Sequence, residues 1–227
     1  MRRQKMQEHI VNEFDMLVDE IADELEVEIP YYPEVYWVGR NLEFEKLFIP
    51  ENHRDEINEL KKDRDSFFIP HINIFCIGRD DPIHLAEEAS HFVHLVNSRL
   101  SHYDKNSVDL FATYVLTEMF GYFGSKLIHP DRRNCFRKHK SMLPPNLKNL
   151  NSLGKTLRRI ASLRGEIEYE CEIYKQAHDL GEKLFQAYIS KTIKKREIKN
   201  LLKRNFKKTG EATATFLGLK YNTLNFK

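Results

Sequence analysis

The residues best suited to chemistry sit in one short stretch, HLAEEASHFVHL, His84 to Leu95, which holds two carboxylates and three imidazoles. On a helix, side chains four apart share a face. That places Glu87 with His91 and His84 with Glu88, and His94 continues the same side. The other flank, Ile83, Ala86, Ala89, Phe92, Val93 and Val96, is apolar. A catalytic zinc takes three protein ligands and keeps one position for water. Two ligands from one helix must stand a turn apart, as Glu87 and His91 do. A carboxylate between them, Glu88, is placed to act as general base on the water. The third ligand must come from elsewhere in the chain. The plainer reading is a solvated helix face, with Glu87–His91 and His84–Glu88 as i, i+4 pairs worth only about 0.2–0.5 kcal/mol each.

The segment EEASH, Glu87 to His91, is one residue away from HExxH, with glutamate in place of the first histidine. It resembles the motif of the zincins, and among them the gluzincin and ImmA/IrrE-type metallopeptidases. The order of elements is similar too. A strand, HINIFCIGR, leads through a short loop into the motif helix, and a second helix follows about sixteen residues after His91. The resemblance spans roughly residues 30–128. It implies a zincin-like, metal-dependent peptidase, with the preceding strand as a sheet edge lining the substrate groove and a third ligand from the second helix. By the resemblance to the ImmA/IrrE segment, SVDLFATYVL (107–116) puts Ser107 at the ligand position. Asp109 and Glu118 are the nearest substitutes, and Glu118 better suits a gluzincin-like placement. The implied set is Glu87, His91 and Glu118 on a divalent metal, zinc first, with Glu88 as catalytic base. The substrate is a peptide or protein paired with the strand His71–Ile77. Two carboxylates would make the site harder and less zinc-selective. The same departures leave open a zincin-like fold that has lost its metal and its activity.

Glu88-x-x-His91 is also the spacing of ferritin-like di-iron bundles. Those need two such motifs and further glutamates from four long helices. The chain has no second Glu-x-x-His.

These residues need elements to hold them. Ile10, Phe14, Leu17, Ile21 and Leu25 recur at helical spacing and predict a helix over 4–26. VEIPYYPEVYWVG, broken by Pro30 and Pro33, predicts a strand at 35–38. Residues 41–50 suit a short strand, and 51–66 a surface helix or loop. HINIFCI (71–77) is the clearest strand. Asp81-Pro82 then starts the motif helix, with Asp81 as N-cap and proline in the first turn. That helix runs to about Arg99, and a second spans 108–128. The basic stretch 129–150, with three prolines, reads as a loop. Two helices follow, about 152–178 and 179–206, or one merged through Gly181, and that glycine marks a close approach of another element. The tail, 209–227, shows no period. The fold class is α+β, mostly helical: a small sheet and a motif helix, then a helical C-terminal part. Residues 1–128 would form the zincin-like core, and 129–227 a basic loop and helices packed on it.

The net charge of +2 conceals a split. Residues 1–125 carry 25 acidic and 12 basic residues, whereas 126–227 carry 9 and 24. The basic half, chiefly 126–164 and 191–208, is a candidate surface for an acidic partner or nucleic acid, contacting phosphates without reading bases. This defines an alternative function, a non-catalytic interaction protein. In the competing view the two halves attract each other, or the basic helices are simply solvated. His178 or Tyr174 could assist an oxyanion. Three scattered cysteines, Cys76, Cys135 and Cys171, fit neither a disulfide framework nor a zinc cluster and suit the cytoplasm. No apolar run approaches membrane-spanning length, and no signal peptide is read.

Overall fold

A computed structural model describes residues 2–37, 66–69, 73–98, 108–133 and 169–202. The expected strand at 41–50, the segment 51–65, most of the loop 129–150, the first half of the helix at 152–178 and the tail 209–227 lie outside the described residues. The chain is α+β and mostly helical. Helix α1 (Arg2–Leu25) precedes β1 (Glu34–Trp37), β2 (Phe67–Ile69) and β3 (Ile74–Ile77). Helices α2 (Pro82–Ser98), α3 (Val108–Ile128), α4 (Tyr169–Ile189) and α5 (Lys195–Leu202) follow.

The apolar stripe of α1 is buried as its spacing dictates, with Ile10, Phe14 and Ile21 fully covered. The helix ends where Glu26 turns left-handed (φ 54°) and Val27 N–H donates back to the Ala22 carbonyl at 2.9 Å. The sheet has the order β1-β3-β2, with β1 parallel and β2 antiparallel to β3. The strand leading into the motif helix is therefore central, and the expectation that 71–77 offers a sheet edge to a substrate is corrected. Both sides of β3 are taken, by Glu34–Trp37 and by Phe67–Ile69. The outer side of β1 is engaged as well. The Gln7 amide donates to Val35 O and accepts from Trp37 N, each at 2.6 Å. Strand β2 was not foreseen, because three apolar residues before a proline carry too short a pattern.

Phe75 of β3 joins α1 and α2 through an aromatic cluster. Its ring lies 5.1 Å from Phe14, 5.2 Å from Phe68 and 6.4 Å from Phe92. Helix α2 begins as expected, with Asp81 Oδ1 accepting from His84 N–H at 3.0 Å. The cores of α3 and α4 are continuous with this cluster, and so are Ile193, Ile198 and Leu202 of the last segment. The boundary between the C-terminal helices falls at 190–194 and not after residue 178, so of the two readings the helix merged through Gly181 holds across that point. Helix α4 runs through Gly181, and a Cβ there would lie 2.6 Å from Met119 O and 2.9 Å from Tyr122 Cβ. That glycine lets α4 press against α3. Among the described residues, no helix is long and apolar enough to cross a membrane.

Candidate metal centre

The polar face of α2 is not solvated. Glu87 (4% exposed), Ser90, His91 and His94 (1%) are buried, because α3 covers that face at close range. Two glycines on α3 permit the approach. A Cβ on Gly121 would stand 2.1 Å from His91 Cε1, and one on Gly124 would stand 1.9 Å from Ser90 Oγ. Ser90 Oγ uses the closeness to donate to the Phe120 carbonyl at 2.6 Å.

This packing brings together Glu87, His91 and Glu118, whose donor atoms all lie within 4.8 Å of one another. His91 Nδ1–H donates to the Thr117 carbonyl at 2.9 Å, which leaves Nε2 as an acceptor. Nε2 in turn lies 3.7 Å from Glu118 Oε2, too far for a hydrogen bond. Burial pushes the His91 pKa down to about 4, so the ring is neutral at pH 7. A lone pair and a carboxylate oxygen thus face each other without a proton between them. Ligands on bonds of roughly 2.1 Å at a tetrahedral angle stand about 3.4 Å apart. The His91–Glu118 spacing is near that value, and no spacing in the group exceeds 4.8 Å.

Glu87 has two further partners. Arg132 Nη2 lies 2.5 Å from Oε2, and His178 Nε2 lies 2.9 Å from Oε1. Burial alone would raise the pKa of this carboxyl. His178 and then Arg132 more than offset that and hold it well below the usual carboxylate range. The interaction is not evidence of added stability, since desolvating such charges offsets much of their attraction. Arg132 is also fixed from other directions. Its guanidinium lies 4.4 Å from the centre of the Tyr122 ring and donates to Ser125 Oγ. Lys126 Nζ donates to the carbonyls of Pro130 at 2.5 Å and Arg132 at 2.9 Å and pairs with Glu182 at 3.5 Å. His178 lies 4.8 Å from the Tyr122 ring, whose hydroxyl donates to Glu182 at 2.9 Å.

Glu88 pairs with His84 at 3.6 Å, and His84 Nε2 contacts Ser66 Oγ at 2.7 Å. The side chain of Asp109, the other candidate third ligand, lies outside the described residues. Those of Tyr174, Cys135 and Cys171 do too. His178 has its Nε2 on Glu87 rather than across an open cleft. Cys76 is free and buried, and burial pushes its thiol up to about 12, which makes it unreactive. A second group, His9, Glu13 and Asp80, also lies within 4.8 Å, but on the surface, where acids gather without an ion.

The sequence reading missed Arg132 as a partner of Glu87, because it took the basic run after α3 as surface. The usable signal was Glu87 itself. An acid one turn from His91 on a helix packed into a core requires a cationic partner, and the nearest basic run follows the helix that covers it. Comparison of the chain with profiles of known protein families, with curated proteins and with solved structures gives no match.

Proposed function

We propose that this protein is a zincin-like, metal-dependent hydrolase of peptide bonds, with Glu87, His91 and Glu118 as metal donors and Glu88 as general base. The supporting observation is the convergence of three donors from two helices, two of them buried, with His91 Nε2 left as an acceptor 3.7 Å from Glu118 Oε2. When bound, a divalent ion such as zinc would supply Lewis acidity and lower the pKa of a water. The two-carboxylate donor set also suits harder ions than zinc. Thr117 fixes the His91 tautomer that offers Nε2. Glu88, held by His84, takes the proton of the attacking water and returns it to the leaving amine. A cytoplasmic setting belongs to this reading and agrees with the unpaired Cys76.

Metal analysis of the purified protein tests the reading. About one divalent ion per chain is expected, lost in His91→Ala. Hydrolysis of a peptide library should fall by at least 100-fold in Glu88→Gln while the metal is retained. A wild-type chain that takes up no divalent ion would overturn the proposal.

A further inference from the structure

We infer that Arg132 and His178 are positioning residues that aim the Glu87 carboxylate at the metal. The inference rests on the metal-centre reading above. Glutamate is an unusual choice at the first ligand position. Its side chain has one more rotatable bond to the donor atoms than histidine has, so its aim must be fixed from outside. An ionised carboxylate has about four lone-pair positions on its two oxygens. Arg132 meets one oxygen at 2.5 Å and His178 meets the other at 2.9 Å. With the two oxygens held from two directions, the plane of the carboxylate is set, and each oxygen keeps a further lone pair for a metal, within 4.8 Å of the donors of His91 and Glu118.

Both partners are themselves held by groups other than Glu87. Arg132 is stacked on Tyr122 and bonded to Ser125, and its own carbonyl accepts from Lys126. His178 is buried on α4 against the same Tyr122 ring. The clamp is therefore assembled by the packing of α3 and α4 and does not depend on an ion being present. Outer partners that orient ligating groups typically change metal affinity by about 10–100-fold when removed. A cation this close could instead act as a rival, with Arg132 competing against the metal for Glu87. The two roles predict opposite signs.

The test is titration of the full chain with Co²⁺, read by its visible absorption and by competition with a chromogenic chelator. Variants Arg132→Met and His178→Phe are first shown to unfold cooperatively. Each should bind Co²⁺ about 10–100-fold more weakly than wild type, with an altered absorption band, which a merely structural role would leave unchanged in a folded variant. His178→Gln, which keeps a donor, should recover part of the affinity. Arg132→Lys keeps the charge without the fork. It decides the matter if Arg132→Met does not fold, and should still bind more weakly than wild type. Unchanged or tighter binding in the folded variants overturns the positioning role and leaves the metal centre standing. A wild-type chain that binds no Co²⁺ overturns both.

Discussion

At the scale of single residues, His94 shows what burial does to an ionisable group. It is 1% exposed and stacks on Phe120 at 4.7 Å, and neither ring nitrogen has a hydrogen-bond partner among the described residues. Burial, aided by the neighbouring His91, pushes its pKa down to about 3. An unfolded histidine takes up its proton near pH 6.5. Between these values the unfolded chain binds a proton that the native state refuses. The stabilising contribution is therefore full above about pH 6.5 and is lost as pH falls towards 3. His91, pushed down to about 4, acts in the same direction. From pH 7 to pH 5 each ring should remove up to roughly 2 kcal/mol of stability. His94→Phe should flatten the slope measured by urea unfolding. An identical slope in that variant would show that the ring is not held neutral. Glu87, His91 and Glu118 were readable as a set because donor spacing on a helix is a local property. The orphaned nitrogens of His94 were not readable, since they arise from what α3 lays over them.

At the scale of elements, the contact between α2 and α3 depends on Gly121 and Gly124. Alanine at an ordinary helix interior gains about 1 kcal/mol over glycine. Here the added Cβ would meet His91 Cε1 at 2.1 Å or Ser90 Oγ at 1.9 Å. Overpacking of this kind costs about 1–3 kcal/mol and should exceed the gain in propensity. Thermal unfolding of Gly124→Ala should show a lowered Tm. Adding Ser90→Gly to the same chain should recover part of the loss, and strict additivity of the two changes would count against the close contact. The helices were legible from their apolar periodicity, and α3 has the bounds the spacing predicts. The break at 190–194 was not, because the turn there relies on Lys191 adopting φ 59°, a conformation that lysine does not advertise.

At the scale of the whole molecule, the charge split has a partial structural answer. Lys195 of α5 lies 3.5 Å from Glu26 and 4.0 Å from Glu24, and Lys199 lies 3.8 Å from Glu26. Tyr188 donates to Glu24 from the end of α4. Some of the basic half is thus turned to acids at and just beyond the C-terminal end of α1. Partly exposed pairs of this kind contribute about 0.2–1 kcal/mol each and are screened by salt. The double change Lys195→Ala with Lys199→Ala should therefore cost about 1 kcal/mol in dilute buffer and distinctly less in 0.5 M salt, where the Debye length falls to about 4 Å; a salt-independent cost would place the effect in packing. That the two halves meet is one of three readings of the charge count. Which lysines meet which acids depends on the α1–α5 docking, and composition carries no such pairing. The glycine seam between α2 and α3 has a further consequence. With side chains removed from the interface, the two backbones have no slack through which to slide or breathe. Amide hydrogens along Leu85–Leu95 and Met119–Phe123 should be among the last to exchange with deuterated solvent. Glu87 and His91, seated on that seam, should then keep their places while less tightly packed parts of the fold open.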